Sequence, residues 1–497
     1  MSSAFKRCDR AVGFLLAGVT VLATLGWEIA QAADVFGAYR GVSSTSAGSQ
    51  LGPEAICSFE ALSNPLQLRE AVERTLCNNP KAAQAWAAIK QQAAALGISR
   101  AAYLPSLSTT IQRVRQDNST DVSSHPELSA RYKAFVSTES ASLSWVLWDF
   151  GGREAALKNA SELFSAAQAN QDAVLQGLFA TVAKDYYSAQ AAQGGLTATR
   201  DIERTSRESF GAASARADNG IAPISDALQA ETAYAQATFN RAKAEGDLAI
   251  AQGTLVADMR LRSDFTVTLP AVEEGVQPDA EFMLSVSALL DEAIREHPTV
   301  LQAKAQVRAA EAKEQQARSE GLPKLSLVGS YARNDQPAGA SLGLPQFPAT
   351  GKDWSVGLRV EIPIFEGFAR GYEIQAARAQ TELQAAQLAQ VEQQVGIDVW
   401  NAYQTLRTDT ESVTNSGKLL GLANMSYQAT LTRYTSGVGT IVDLLNAQSA
   451  LAAAQRQRVQ ALTDWRGARL QLAAKLGTLG IGRLDDTDPR RVSPAHE

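Results

Sequence analysis

The 497-residue sequence is poor in the residues that do chemistry: it holds three histidines, three cysteines and four methionines. His125, His297 and His496 are scattered without metal-ligand spacing, so the sequence predicts no metal, no cofactor and no enzyme. Gly339-Ala340-Ser341-Leu342-Gly343 matches a nucleophile elbow as a string. It lies in a Pro/Gly-rich stretch without the strand-to-helix context that gives the motif meaning. Basic residues are also in deficit, 46 Lys and Arg against 52 Asp and Glu, which argues against a chain built to grip nucleic acid.

Long hydrophobic runs are missing except at the N-terminus. There Lys6, Arg7 and Arg10 precede an apolar run over 11–27, and Ala30-Gln31-Ala32 offers small residues for cleavage. The pattern predicts a signal peptide over 1–32, with a single membrane anchor as the rival reading. After Ala33 nothing approaches the roughly 18 uninterrupted apolar residues of a membrane helix, so insertion of the mature chain would have to use β-strands. Cys8 leaves with the signal, and Cys57 and Cys77 remain as an even pair in an oxidising compartment. A disulfide between them is expected, two free thiols being the alternative.

What the sequence does have is a repeat. Asn79-Pro80 and His297-Pro298 each open a helical stretch, and 25 residues later Leu104-Pro105 and Leu322-Pro323 each close one, at an offset of 218. Trp148-Asp149 then matches Phe365-Glu366, and Gly220 matches Gly437, both at 217. The implied organisation is a signal at 1–32, an N-terminal segment at 33–66, repeat 1 at 67–262, a connector at 263–283, repeat 2 at 284–478 and a tail at 479–497.

Each repeat reads helix, strand, loop, strand, very long helix, tight turn, helix. The strands read as short and alternating: Trp354, Val356, Leu358, Val360 and Ile362 share one face, and Ala141, Leu143, Trp145 and Leu147 oppose Ser140, Ser142 and Ser144. Strands are expected at 107–115 and 325–333, with exposed loops at 117–133 and 334–352. An apolar-out, polar-in strand suits a lipid-facing barrel, although a sheet over a soluble core would alternate likewise.

The stretches 152–219 and 368–436 lack proline and predict helices of roughly 100 Å, which no compact domain needs. Two shorter helices stacked end to end nearly match one long one, predicting a helical wall with strands at one end and tight turns at the other. Four strands cannot close a barrel and open edges are not tolerated in lipid, so several chains must share one. Three would supply 12 strands and room for a lumen.

With its proline-bracketed helices, its junctions Trp148-Asp149-Phe150-Gly151-Gly152-Arg153 and Ile364-Phe365-Glu366-Gly367, and its turn Tyr434-Thr435-Ser436-Gly437-Val438-Gly439-Thr440-Ile441-Val442-Asp443, the chain resembles the TolC family of outer-membrane efflux proteins. The resemblance implies an α+β membrane protein of the Gram-negative outer membrane. It would be a homotrimer whose 12-stranded β-barrel, four strands per chain and held in outer-membrane lipid, continues as a long α-helical periplasmic barrel. An inner-membrane transporter and a periplasmic adaptor would be its partners, and an exported protein or small molecule its cargo. No cysteine follows Ala32 to carry a lipid, which leans towards members serving type I protein secretion rather than multidrug efflux. A periplasmic adaptor protein is the alternative from another class; it would show one helical hairpin and no duplicated strand pair.

The resemblance also assigns a periplasmic gate. An acidic residue of the first turn and a tyrosine of the second would hold the tip shut, and these match Asp226, beside Ser225, and Tyr434. Of two pore-facing acids one helical turn apart, Asp443 matches the first, while Asn446 stands at the second; the family's basic linking residue is Gly439 here. Ser225, Asp226 and Asp443 equally suit helix N-termini, where side chains accept from free amides and carboxylates complement the dipole.

Overall fold

The computed structural model describes residues 34–48, 57, 59, 61–126, 129–272, 286–335 and 349–479. The expected signal peptide, the elbow-like string and the charged tail lie outside the described residues. Each repeat contributes the same elements in the same order. The first holds α1 (Leu68–Asn78), α2 (Pro80–Ala101), β1 (Ser106–Thr120), β2 (Ala130–Trp148), α3 (Gly152–Asp218) and α4 (Ile224–Asp258). The second holds α5 (Val286–Glu296), α6 (Pro298–Ser319), β3 (Lys324–Asp335), β4 (Gly351–Glu361), α7 (Ala369–Thr435) and α8 (Ile441–Leu476). Both long helices run 67 residues. The helices α1 and α5 precede the two prolines and had not been separated by sequence. At each break a side chain takes over as cap: Asn79 Oδ1 accepts from Lys81 N at 2.9 Å and His297 Nδ1 from Thr299 N at 3.3 Å. The duplicated strand pair removes the adaptor reading.

The chain divides into two units. The first, Met1–Val42 with Lys90–Ser161 and Ala309–Ala379, contains one antiparallel sheet ordered β1-β2-β3-β4. Its register sorts the side chains by face. Leu107, Leu143, Gly329 and Val356 form one row, Thr109, Ala141, Tyr331 and Trp354 the next, and Trp145, Leu327 and Leu358 another. These rows make an apolar band, and it is bare: Trp354 is 78% exposed and Val356 67%. The opposite face carries hydroxyls, with Ser108, Ser142, Ser330 and Ser355 in one unbroken row across all four strands. Ser108 and Ser142 are hydrogen-bonded at 2.7 Å, Ser330 and Ser355 at 2.8 Å.

Two expectations about the strands need correction. The first loop is much shorter than 117–133, because β1 and β2 stay paired as far as Thr120 and Ala130. Charged residues hold the polar end together: Asp117 pairs with Arg131 at 3.1 Å and with Lys133 at 2.9 Å. Strict alternation also fails at Leu147. A register shift puts Trp148, not Leu147, opposite Leu325, so the bulge turns a second tryptophan onto the apolar face. Arg153 binds the carbonyls of the bulged segment, Nη1 to Val146 O at 2.7 Å and Nη2 to Leu147 O at 3.2 Å, while Asp149 Oδ2 accepts from its backbone nitrogen at 2.8 Å.

Each strand-to-helix junction needs two successive residues in the left-handed region, and the repeats fill the same two positions in opposite order. Phe150 (φ 52°) and Gly151 (φ 89°) lead into α3, Gly367 (φ 60°) and Phe368 (φ 68°) into α7. The phenylalanines are exposed and pack edge-on against Trp148 and Phe365. Aromatic rings thus flank the apolar band at its helix end, and Tyr331 with Trp354 stand at the other, the placement of interfacial girdles.

The second unit, Ser43–Ile89 with Glu162–Arg308 and Gln380–Glu497, is helical, and alanine recurs through its buried seams. Leu76, Phe179 and Leu255 centre one core, Val399, Leu462 and Leu472 a second. The Sγ atoms of Cys57 and Cys77 are bonded, closing a loop of 20-residue separation against the first core. Among the described residues no helix is long and apolar enough to cross a membrane.

Candidate functional site

The α3–α4 and α7–α8 hairpins turn in the same way. Gly220 (φ 68°) and Gly437 (φ 80°) take the left-handed position after each long helix. Ile221 N returns to Arg216 O at 2.9 Å and Gly220 N to Ala217 O at 2.9 Å; Val438 N returns to Arg433 O and Gly437 N to Tyr434 O, both at 3.0 Å. This double closure is the Schellman motif, and it needs a glycine because a Cβ is disfavoured at positive φ.

The turns differ in what they bury. Tyr434 is 3% exposed and sits in a core with Ala213, Ala230, Tyr427, Ile441 and Leu444. Its partner is a residue the sequence reading missed. Arg216, in the last turn of α3, donates from Nη1 to Tyr434 O at 2.7 Å and lays its guanidinium 4.9 Å from the ring centre. Burial raises the phenol pKa above its ordinary value, Arg216 pulls it down and Asp226 pushes it up. Asp226 is therefore within electrostatic reach, but Tyr434 Oη is buried without a hydrogen-bond partner among the described residues. Within one chain it is Arg216 that contacts the ring and carbonyl of Tyr434.

Ser225 Oγ lies 3.4 Å from Asp226 Oδ1 just after the start of α4. Asp443 enters a capping exchange: Thr440 Oγ1 accepts from Asp443 N at 3.2 Å and donates to Asp443 Oδ2 at 2.8 Å. Asp443 and Asn446 are both exposed, three residues apart on α8. A Cβ on Gly439 would come within 3.1 Å of Tyr434 N, so a longer side chain fits poorly where the resemblance places a basic residue. Deeper along the hairpins Gln448 Nε2 donates to Thr205 Oγ1 at 3.0 Å and Ser206 Oγ at 2.8 Å, a polar clasp between α3 and α8. Among the described residues no group of three or more His, Cys, Asp or Glu could hold a metal ion.

Known proteins place this architecture. A profile described as "Outer membrane efflux protein" matches residues 71–258 and 289–478, one stretch per repeat. "Protein CyaE" of Bordetella pertussis is 34% identical over 86% of this chain and 87% of its own length. "Outer membrane efflux protein BepC" of Brucella suis is 26% identical over 52% of this chain and 54% of its own. Among solved structures, one of CusC, titled for conformational changes accompanying folding and transmembrane channel formation, superposes with a TM-score of 0.71 at 17% identity. It covers 87% of this chain and 97% of that one. Because the profile takes in both repeats and their junctions and tips, the chain belongs to the outer membrane efflux protein family, export channels that span the outer membrane and reach into the periplasm.

Proposed function

We propose that three copies of this chain close one barrel and one helical tunnel, and that the tunnel serves type I protein secretion by docking its tips onto an inner-membrane transporter and adaptor. The sheet carries the reading. Its apolar face is bare and its other face is mostly polar, with one row of serines across all four strands, so it suits lipid on one side and a wet lumen on the other. The edges of β1 and β4 are unpaired among the described residues, and unpaired backbone in lipid costs several kcal/mol per group. Three copies give twelve strands and a lumen wide enough for cargo.

The relative named for efflux is more distant, at 26% over half the chain, than the 34% relative spanning most of it. At the tips, Arg216 with Tyr434 closes the hairpins, Asp226 adds its charge beside the ring, and Asp443 and Asn446 face the narrow end. Deleting the gene and comparing the secreted proteome with toxicant sensitivity tests the reading. Loss of a secreted protein at unchanged sensitivity is expected. An intact secretome with new hypersensitivity to small toxicants refutes it and favours efflux.

A further inference from the structure

The face that carries the apolar band does not end with it. One row beyond Tyr331 and Trp354, away from the helices, the same face reads Ile111, Glu139, Arg333 and Lys352. The following rows bring Arg113, then Arg115 beside Phe135, then Lys133 beside Asp117, and last Arg131. Six cations thus stand there against three carboxylates, Asp117, Glu139 and Asp335, in a chain whose net charge is −6. On the hydroxyl face the matching rows hold Thr110, Gln112, Val114 and Gln116 on β1, Ser140, Thr138, Val136 and Ala134 on β2, and no Lys or Arg at all. The cations are confined to the lipid side.

Their geometry is that of a receptor for anions. The carboxylates neutralise only part of the set: Asp117 takes Arg131 and Lys133, and Glu139 lies 3.9 Å from Arg333. Arg113, Arg115 and Lys352 form no ion pair among the described residues. Arg113 and Arg115 both lie against Phe135, with guanidinium carbons 5.4 and 5.9 Å from the ring centre. A ring beneath a guanidinium holds it in place and leaves its donor fork free, the arrangement that takes a phosphate with two parallel hydrogen bonds. The first cations sit one row, about 7 Å along the strand, beyond the aromatic rings that mark the edge of hydrocarbon.

We propose that this basic collar binds the phosphate groups of lipopolysaccharide in the outer leaflet. The proposal rests on the outer-membrane orientation with the tips in the periplasm. Lipopolysaccharide is the occupant the position selects, since its sugar phosphates lie just outside the acyl chains on the side away from the helices. Inward-facing phospholipid headgroups meet the other end of the band. Clamped at three collars per trimer, the lipid would seal the barrel to its leaflet.

The test uses the assembled channel purified in detergent, stripped of lipid and titrated with purified lipopolysaccharide, adducts being read by native mass spectrometry. The wild type is expected to bind the intact lipid, and the Arg113→Gln/Arg115→Gln/Lys352→Gln variant to bind at least about tenfold more weakly. Arg113→Lys/Arg115→Lys should retain an intermediate affinity, because charge survives and the fork does not. Lipid with its phosphates removed should bind the wild type as poorly as intact lipid binds the triple variant. Equal binding of intact and dephosphorylated lipid by the wild type overturns the proposal even if the triple variant fails to assemble. Phosphatidylglycerol bound as tightly as lipopolysaccharide overturns it too, reducing the collar to a general anion surface. Inorganic phosphate competing at micromolar concentration would assign the site to free phosphate instead. Trimer content and export, measured alongside, report on the channel reading separately from lipid binding.

Discussion

Asp258, in the last turn of α4, and Asp185 of α3 form a carboxyl pair whose consequence can be read as a pH dependence. Burial comes first and the Asp185 carboxyl second in pushing the Asp258 pKa up to about 7, with Lys81 pulling the other way. Asp258 Oδ2 is buried, and a hydrogen bond to the Asp185 carboxyl favours its protonated form. The folded chain therefore holds a proton that the unfolded chain, titrating near 4, releases. A group whose folded pKa is raised destabilises the fold progressively as pH climbs from the unfolded value through the folded one, here between about 4 and 7. A gap of about three units corresponds to roughly 4 kcal/mol, which solvent screening of a half-exposed pair reduces to about 1–2 kcal/mol per chain. Unfolding entropy for a chain of this size is about 1 kcal/mol/K, and roughly three-fifths of the loss falls between pH 5 and 8, so this pair should lower the melting of the wild type by about 1 °C over that interval.

Asp258→Asn keeps the shape of the protonated acid and removes the titration. In detergent-solubilised channel, followed by circular dichroism at 222 nm, the variant should melt slightly above the wild type at pH 5 and about 1–2 °C above it at pH 8. His297, whose pKa is lowered mainly by burial, and Asp172, raised by burial, titrate in both proteins and cancel in the difference. Asp185→Asn should shift the melting in the same direction but by less, because burial, the larger cause, still holds the Asp258 pKa up. A pH slope identical in variant and wild type, or a variant less stable at both values, would show that the pair shares no proton.

At the tip, Arg216→Ala should raise single-channel conductance in planar bilayers, since it removes a charge-assisted hydrogen bond and a ring contact worth together about 2 kcal/mol. Tyr434→Phe removes a hydroxyl without a partner and should leave conductance near wild type; the reverse order of effects would return the latch to Asp226 and the phenol. For the Cys57–Cys77 bridge, thiol titration of the unfolded, unreduced protein should find no free thiol. Replacing both cysteines by serine should cost about 3 kcal/mol through the loop entropy released, and two titratable thiols would remove the bridge.

Proline, glycine and length carried most of what could be read in advance. The four X-Pro pairs bounded helices because proline lacks an amide and restrains the residue before it, and the proline-free stretches became α3 and α7 almost to the residue. Polarity misled where the medium changes. Residues from Asp117 to Lys133 read as loop because of their Ser, Asn and Pro, yet beyond the bilayer a strand needs no apolar side and cross-strand charges suffice to hold it. The bulge at Leu147 was invisible because periodicity assumes one residue per register step, and its support, the reach of Arg153 to two carbonyls, is a contact between elements.

The tip shows what a repeat can and cannot announce. Arg216 and Arg433 stand 217 positions apart, the offset that aligns the two hairpins, so the pairing that singled out Asp226 with Asp443 also held both arginines. Sequence could not say that they would part company. Each ends a long helix and offers its carbonyl to the same turn, but Arg216 crosses to the ring of Tyr434 while Arg433 stays exposed, with no ion pair among the described residues. The residue after each arginine explains the difference: it is Tyr434 in the second repeat and Ala217 in the first, and alanine offers no ring for the reciprocal contact. One alanine-to-tyrosine difference thus makes two equivalent Schellman turns unequal. One arginine is consumed in the contact between the hairpins, and its counterpart stays exposed.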